Sequence, residues 1–438
     1  MKITYRQVVA LAVPVMLANI SVPLVGIVDT AVMGRYASPD YINAVAIASV
    51  MFSSIFWAFG FLRMGTGGLV AQAFGQADHD RIALSMARSF LVAVVIGLLI
   101  VLGGTLWFRA GMHFVSADAG LIELVHAYYQ IRLYSAPVTL SLYVVFGAMI
   151  GLQRMRNLLL LQLLLNLSNI TLNILIYQLT DWHVRGVATA TVISECVTLI
   201  VALWQLRTHI VPIYHRWPEL KHRFTNRDAF SRLWQISRDL FIRTICLTIA
   251  FYWMTALGSH QGAFVLAANS ILIHLLHLMA HWLDGFAHAA ESLVGFAYGR
   301  KDRQAFRRAI RMSTELALVL AVFMTALYAI FGDTLVQLIS RDATVQTEAA
   351  KYLGWIIVSP LIGVWSFMLD GIFTGITHTR PMRNGMLISL VCFVISAYLL
   401  IPLMGNHGLW LAYTILMLTR AVTLGLSLRR ISFLTHSV

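Results

Sequence analysis

Long hydrophobic runs separated by short polar segments dominate this chain. A helix needs about 20 apolar residues to cross a bilayer core of ~30 Å, and each run is long enough. The pattern lacks the alternating ~10-residue segments of a membrane β-barrel, so we predict an all-α integral membrane protein. The twelve predicted spans lie at residues 7–33, 42–74, 83–108, 121–151, 157–179, 186–206, 234–257, 263–298, 309–332, 345–376, 385–404 and 408–428.

Composition supports this prediction, and the charge distribution adds a topology. Hydrophobic residues make up 59% of the chain and charged residues 12%, which is unlike a soluble domain. The net charge of +13 suggests a nucleic-acid interface until the basic residues are placed. With a cytoplasmic N-terminus, most Lys and Arg fall in cytoplasmic segments and four fall on the other side, Arg35, Arg109, Arg185 and Arg341. This asymmetry obeys the positive-inside rule.

We therefore expect a multi-pass protein of the plasma (inner) membrane with both termini cytoplasmic. The expected surroundings are the lipid bilayer, with no nucleic-acid partner. Residues 207–232 form a basic, soluble-looking segment at the midpoint of the chain. We predict an N-terminal lobe of six helices at 1–213, a cytoplasmic connector at 214–232 and a C-terminal lobe of six helices at 233–438.

Three segments of the first half recur in the second half at a nearly constant offset. The glycines of residues 147 and 151 recur at 371 and 375, an offset of 224. Leu69-Val70 recurs as Leu293-Val294 at the same offset, and Gly186 recurs as Gly408 at 222. Met155-Arg156-Asn157 recurs as Met382-Arg383-Asn384, which implies three extra residues in the second copy. We predict two pseudo-symmetric halves, an arrangement typical of transporters with a site between the halves.

Asp29 is the charged residue most in need of a reason. It lies inside the first predicted span, where a carboxylate costs ~2.5–3.5 kcal/mol on insertion scales. Pro14, fifteen residues earlier, removes a backbone hydrogen bond and allows the helix to bend. A bendable helix with one acid is suited to a protonation switch. The alternative is an interfacial Asp29 that caps the helix or pairs with Arg35.

Amides and hydroxyls in two other spans are suitable partners for Asp29. Asn166, Asn169 and Asn173 share one face of the fifth span, and Thr191 lies in the sixth. With Asp29, Asn169, Asn173 and Thr191 form a predicted ion-coupling site for H⁺ or Na⁺, and Asn166 is a candidate cavity residue. The alternative is that these side chains only join helices.

The eighth predicted span carries a polar stripe along one helical face. Its members are His274, His277, His281, Asp284, His288 and Glu291. Three histidines at such spacing are compatible with zinc, but we favour a wet cavity lining with no metal. The substrate-cavity candidates are then His277, His281, Asn166 and Asp370.

Other buried charges are expected to pair with each other. We predict a buried charge network of Arg63, Arg243, Asp284 and Glu291, in which the acids pair with Arg63, Arg238 or Arg243. Asp370 is interpreted either as a second titrating acid or as a group that attracts cations near the substrate.

Several motifs resemble the multidrug and toxic compound extrusion (MATE) family, in its DNA-damage-inducible F (DinF) branch. They are residues 24–35 (LVGIVDTAVMGR), Arg63-Met64 with 69–75 (LVAQAFG), Arg238-Asp239, Arg243-Thr244, 266–269 (LAAN), 283–287 (LDGFA) and 291–295 (ESLVG). The resemblance implies twelve helices in two six-helix lobes that export amphipathic, often cationic drugs against H⁺ or Na⁺.

The resemblance also assigns roles to individual residues. It makes Asp29 the coupling carboxylate and Pro14 the bend below it. Some members surround that acid with Asn, Asp and Thr at the spacings of Asn169, Asn173 and Thr191. Because residue 173 is Asn here rather than Asp, a Na⁺ site would be weaker, and H⁺ is the expected coupling ion.

No enzymatic motif is evident, neither a His-Glu-x-x-His zinc signature nor a Walker loop. We therefore expect a monomeric transporter that uses an ion gradient, has no cofactor and acts on small drug-like molecules. The alternatives are a Na⁺-coupled exporter, a flippase for lipid-linked precursors and an uptake carrier.

Overall fold

The computed structural model describes residues 3–34, 38–113 and 118–431, together with their side chains apart from those of six residues at 23, 24, 27 and 212–214. Every regular element in these ranges is a helix, as predicted. The seventeen helices are α1 (Tyr5–Met33), α2 (Asp40–Ala58), α3 (Phe61–Gly75), α4 (His79–Leu102), α5 (Gly104–Met112), α6 (Ala119–Tyr134), α7 (Ala136–Gly151), α8 (Met155–Leu179), α9 (His183–Gln205), α10 (Arg207–His215), α11 (Trp217–Phe224), α12 (Arg227–Ser259), α13 (Ala263–Gly299), α14 (Arg303–Ile339), α15 (Ala343–Gly375), α16 (Arg380–Met404) and α17 (Asn406–Arg429).

Eleven segments of the described chain are long and apolar enough to cross a membrane, and the bent pair α6–α7 brings the number to twelve. The predicted multi-pass helical architecture is therefore confirmed. Three predicted spans are broken helices: α2 and α3 meet at Phe59-Gly60, α4 and α5 meet at Gly103, and α6 and α7 meet at Ser135 with a bend of 52°. Pro137 lies in the first turn of α7, where its missing N–H costs nothing within α7 but cannot continue the bonding of α6.

The described chain divides into two compact units. One unit holds residues 17–233, and the other holds residues 1–16 together with 234–438. In the second unit the start of α1 packs closely on α13, because a Cβ at Gly285 would lie 2.9 Å from the carbonyl oxygen of Ala12. Tyr5 also donates a hydrogen bond of 2.5 Å to Glu315 of α14. The predicted lobe 1–213 did not anticipate this placement of the first sixteen residues.

The predicted repeat is visible in the backbone. Non-glycine residues rarely adopt positive φ, yet Ala77 and Lys301 do so with φ of 54° and 60°. Gln153 and Thr377 form a second pair at the same offset of 224, with φ of 59° and 54°. His183 and Gly405 form a third at 222. These turns join equivalent helices in the two halves.

The repeated glycines allow equivalent helix contacts within each unit. A Cβ at Gly147 would lie 2.2 Å from the Arg63 carbonyl oxygen, and one at Gly371 would lie 2.2 Å from that of Ala287. Arg63 and Ala287 are themselves 224 residues apart. Helices α3 and α7 in one unit, and α13 and α15 in the other, therefore approach through side-chain-free surfaces.

The three extra residues before the second Met-Arg-Asn are distributed over two places in the structure. Helices α8 and α16 have the same length of 25 residues, but Met155 begins α8 whereas Met382 is the third residue of α16. The connection before α16, residues 376–379, is one residue longer than residues 152–154. The two tripeptides therefore occupy different helical positions, because one extra residue lies in the connection and two, Arg380 and Pro381, begin α16.

Candidate functional site

Asp29 and three of its predicted partners form a hydrogen-bonded chain. Asn173 Nδ2 of α8 donates to Asp29 Oδ1 of α1 at 2.5 Å and to Asn169 Oδ1 at 3.1 Å. Asn169 Nδ2 in turn donates to Thr191 Oγ1 of α9 at 3.0 Å. The two amides are one helical turn apart on α8, so their side chains share a face. The structure thus brings together the four residues predicted for ion coupling.

The site is largely shielded, and the Asn173 amide faces the acid through its nitrogen. Asn169 and Asn173 are each 2% exposed, while Asp29 is half-buried. The other amide atom, Asn173 Oδ1, is buried with no hydrogen-bond partner among the described residues. Asp29 is therefore held by an N–H donor, and an oxygen with an unused lone pair lies on the same amide.

Asn166 lies one turn before Asn169 on the same face of α8, but its hydrogen bonds go to residues outside the Asp29 site. Its Nδ2 donates to Ser21 Oγ of α1 at 2.7 Å, and its Oδ1 accepts from Gln162 Nε2 at 3.1 Å. This amide joins α8 to α1 and has its main bonding groups occupied. For Asn166 the helix-joining interpretation fits the geometry better than a cavity role.

A buried ion pair that the sequence analysis missed lies in the same unit. Arg132 Nη1 of α6 is 3.0 Å from Glu195 Oε2 of α9, and Thr139 Oγ1 of α7 donates to the same oxygen at 2.8 Å. Arg132 also lies over the rings of Phe52 and Phe56, at 5.7 and 5.9 Å. The sequence signal for this pair was a basic residue, Arg132, and an acidic residue, Glu195, each within an apolar span.

The ion pair defines the electrostatic surroundings of Asp29. Arg132 is the cation whose field acts on Asp29, but Glu195 offsets its charge at short range. Within the described ranges, which leave out Arg35, no basic side chain lies at ion-pair distance from Asp29. The alternative pairing with Arg35 falls outside the described residues. Asp29 thus has neutral partners.

Pro14 lies in the same continuous helix as Asp29 but in the other compact unit. Helix α1 runs from Tyr5 to Met33, and the unit boundary falls between residues 16 and 17. Pro14 is buried and cannot donate a backbone hydrogen bond within α1. A bend at this position stays a prediction.

Asp370 has two arginine partners in its own unit. Both Arg243 of α12 and Arg420 of α17 donate to Asp370 Oδ2. Asp370 is 6% exposed and Arg420 3%. Asp370 was interpreted as a second titrating acid or a cation-attracting group near the substrate, and its two arginine partners favour neither role. Arg420, alone in the last span, was also missed.

The predicted partners of Glu291 and Asp284 also need correction. Glu291 Oε2 is 2.9 Å from His288 Nδ1, which lies on the preceding turn of α13. Arg243, a predicted partner of these acids, pairs with Asp370 instead. Asp284 is half-buried within reach of the field of Arg243 but makes no ion pair in the described chain. Arg63 is half-buried, and its Nε has no hydrogen-bond partner among described residues. The four residues do not form the single network that was predicted.

The other histidines of the stripe do not converge. His274 is exposed with its Nδ1 2.7 Å from the Ser270 carbonyl oxygen, and His277 is exposed with its ring 5.4 Å from that of Phe251. His281 is half-buried. Within residues 3–34, 38–113 and 118–431, no three His, Cys, Asp or Glu side chains form a group that could hold a metal ion.

Comparison with known families gives a match in each half of the chain. The MatE family model matches residues 14–175 and again residues 240–401. The chain is 34% identical over 420 residues to DNA damage-inducible protein F of Escherichia coli (strain K12), covering 96% of this chain and 91% of that protein. The double match supports the two homologous halves.

Solved structures of MATE proteins share the fold. A structure described as MATE in the bent conformation superposes with a TM-score of 0.86 at 20% identity, covering 98% of this chain and 95% of that one. A structure described as MATE in the straight conformation superposes with a TM-score of 0.85 at 19% identity, covering 99% and 97%. At such low identity the likeness concerns the fold alone.

Proposed function

We propose that this chain, which belongs to the DinF branch of the MATE (multidrug and toxic compound extrusion) family of membrane transporters, is a proton-coupled exporter. Membership makes the protein a multi-pass transporter and not an enzyme. The proposal adds the coupling ion, the direction and the residues. Its expected substrates are amphipathic, often cationic compounds, and its expected site is the plasma (inner) membrane with both termini cytoplasmic.

The hydrogen bond between Asn173 and Asp29 is the observation that carries the proposal. A carboxylate can only accept hydrogen bonds, whereas a protonated acid also has an O–H group to donate. Asn173 can meet either state, because its Nδ2 serves the carboxylate and its unpartnered Oδ1 can accept from the protonated acid after the amide turns. Turning the amide breaks its bond to Asn169, so a proton on Asp29 changes the contacts between α1, α8 and α9.

Proton coupling is favoured over Na⁺ by the atoms that surround Asp29. Hard cations are bound by several oxygens, but the amide group nearest to the acid is an N–H donor. Asn169 Oδ1 and Thr191 Oγ1 already accept hydrogen bonds. One carboxylate that meets an N–H donor, beside two oxygens that already accept hydrogen bonds, is a poor cage for Na⁺ and a suitable proton acceptor.

The position of Pro14 supports a role for α1 in the transport cycle. MATE structures have been solved in a bent conformation and in a straight conformation. In this chain, α1 carries both Asp29 and Pro14, and Pro14 weakens the helix because it lacks a backbone N–H. We propose that the protonation of Asp29 shifts α1 between two such shapes.

We assign the remaining cavity candidates by their exposure. His277 is exposed and His281 half-buried, and we propose that they line a wet surface. Asn166 is bonded to Ser21, and Asp370 Oδ2 is shared by Arg243 and Arg420, so we propose structural roles for both. The protein is proposed to act as a monomer without a cofactor.

Asp29→Asn tests the coupling assignment. The amide cannot carry the proton but keeps the shape and can still bond to Asn173, so the variant should fold and insert normally. We expect proton-driven export of a fluorescent cationic drug to fall to the background level. The measurement is drug movement in proteoliposomes under an imposed pH gradient, repeated with an imposed Na⁺ gradient.

Asp181→Asn is the matched control, because Asp181 is an exposed acid between α8 and α9. It should transport like the unmodified protein. Export by Asp29→Asn at the control rate would refute the role of Asp29. Export that needs Na⁺ and ignores the pH gradient would favour the Na⁺-coupled alternative. Movement of a lipid-linked precursor but of no drug would favour a flippase.

A further inference from the structure

A basic cavity lies far from Asp29 in sequence, within the unit of residues 17–233. It has a volume of about 230 Å³, far above the ~10–15 Å³ that admits one water. Helices α3, α4 and the first turns of α12 supply its walls. The lining residues are Leu69, Arg81, Ser85, Arg88, Asp228, Ala229, Arg232 and Leu233.

Three arginines and one acid give this cavity a net positive charge. Arg88 is 8% exposed, and burying a guanidinium without an anion is costly. Its Nε donates to the Phe224 carbonyl oxygen at 3.0 Å, and its Nη2 donates to the Arg223 carbonyl oxygen. No carboxylate in the described chain lies at ion-pair distance from Arg88.

The nearby acids are engaged by other arginines or lie on the rim. Asp80 pairs with Arg216 at 2.9 Å and with Arg223 at 3.3 Å. Asp78 caps α4 and lies 3.7 Å from Arg223. The lining acid Asp228 is exposed. The charges acting most strongly on Arg88 are those of the cations Arg223 and Arg81.

Residues of the connector (214–232) hold the Arg88 side chain in this position. Phe224 and Phe230 lie on Arg88, with ring centroids 6.0 and 5.9 Å from its guanidinium carbon. Helix α11 and the start of α12 thereby hold Arg88 in place. Arg232 Nη2 donates to Gln72 Oε1 at 3.0 Å, and Arg81 Nη1 donates to Gln76 Oε1 at 2.6 Å. The partner of Arg81 is a neutral amide, so the positive charge of Arg81 is not cancelled by this contact.

We propose that this cavity binds a phosphate group. Arginine forks bind phosphate oxygens in pairs, and Ser85 adds a hydroxyl to the wall. The cavity lies at the end of α4 where basic residues concentrate, the side at which basic pockets between membrane helices hold anionic lipid headgroups. The phosphate belongs either to such a lipid or to a soluble phosphate compound.

The test uses the full-length protein and two probes. Retention of phosphatidylglycerol is compared with that of phosphatidylcholine by native mass spectrometry. Binding of inorganic pyrophosphate is measured by calorimetry with the protein in phosphatidylcholine nanodiscs. We expect at least one anionic probe to bind, and Arg81→Gln with Arg232→Gln to weaken it by about tenfold for each arginine removed. Asp228→Asn, which removes the acid on the rim, should strengthen binding severalfold.

Arg307→Gln is the matched control, because it removes one positive charge from α14, the equivalent of α4 in the other half. It should bind both probes as the unmodified protein does. Selective retention of phosphatidylglycerol identifies a lipid headgroup, and binding of pyrophosphate identifies a soluble ligand. Binding of neither probe overturns the proposal, and so does an equal loss in the Arg307 variant or no response to Asp228→Asn.

Discussion

The two halves of this protein share a backbone plan but differ in their buried chemistry. The left-handed turns at Ala77 and Lys301 are equivalent, and Gly147 and Gly371 make the same close helix contact. The buried acids do not repeat. The first half holds Asp29 among neutral amides, whereas the second holds Asp370 between two arginines.

This difference means that Asp29 can change its charge at low energetic cost, whereas Asp370 cannot. Asp29 can gain a proton without leaving a cation unpaired, because its nearest partners are uncharged. Protonating Asp370 would leave Arg243 and Arg420 close together and without their shared anion. The comparison therefore supports a switching role for the first acid and a stabilising role for the second.

The largest expected effect on stability comes from Asp370→Asn. Removing one member of a buried ion pair costs about 3–5 kcal/mol, and here two arginines lose their partner. We expect the midpoint of thermal unfolding in detergent to fall steeply. Asp29→Asn should change it little, because a neutral amide replaces an acid that has neutral partners.

Asp333→Asn is the control for that experiment, since Asp333 is an exposed acid on α14, and it should be neutral. The double variant Asp370→Asn with Arg420→Met should recover part of the loss by removing one unpaired charge. If Asp29→Asn proves as destabilising as Asp370→Asn, the contrast between the two acids is mistaken.

The next effect tests the shared backbone plan. Gly147→Ala and Gly371→Ala each place a Cβ against a carbonyl oxygen, and overpacking of this kind costs about 1–3 kcal/mol. We expect similar losses of unfolding free energy in the two variants. Unequal losses would show that the two helix contacts are not energetically equivalent.

Gly354→Ala is the matched control, because it lies in the same helix as Gly371 with nothing within 4 Å of its added Cβ. Alanine there should stabilise α15 by ~1 kcal/mol. A loss of stability in this control would mean that glycine-to-alanine changes act through something other than the close contacts.

The smallest effect is expected for His277→Gln. Exposed substitutions change stability by about ±0.5 kcal/mol, so folding should be unaffected while the range of exported compounds shifts modestly. Leu278→Gln, which changes the neighbouring exposed residue, is the control for general changes at this face. Stoichiometric zinc in chelator-washed protein, lost in His277→Gln, would instead reveal a metal site.

Much of the candidate site was predictable because its signals are local. A lone acid in an apolar span is conspicuous because placing a carboxylate inside a membrane costs free energy. Asn169 and Asn173 lie one turn apart, which places them on one face of the helix. The ion pairs were not predictable in the same way. Arg132 and Glu195 are 63 residues apart, and Arg420 lies 50 residues from Asp370. Only tertiary packing decides which of several buried charges meet.

The sequence by itself determined the membrane class, the helical spans and the two-fold repeat, because hydrophobic length and repeated glycines are written along the chain. It also identified Asp29 and the three residues of its hydrogen-bonded chain, Asn169, Asn173 and Thr191. The tertiary structure decided that residues 1–16 pack with the second half, that Asp370 shares two arginines, and that the connector encloses a basic cavity. These features depend on contacts between segments far apart in the chain, where no periodicity links one residue to its partner.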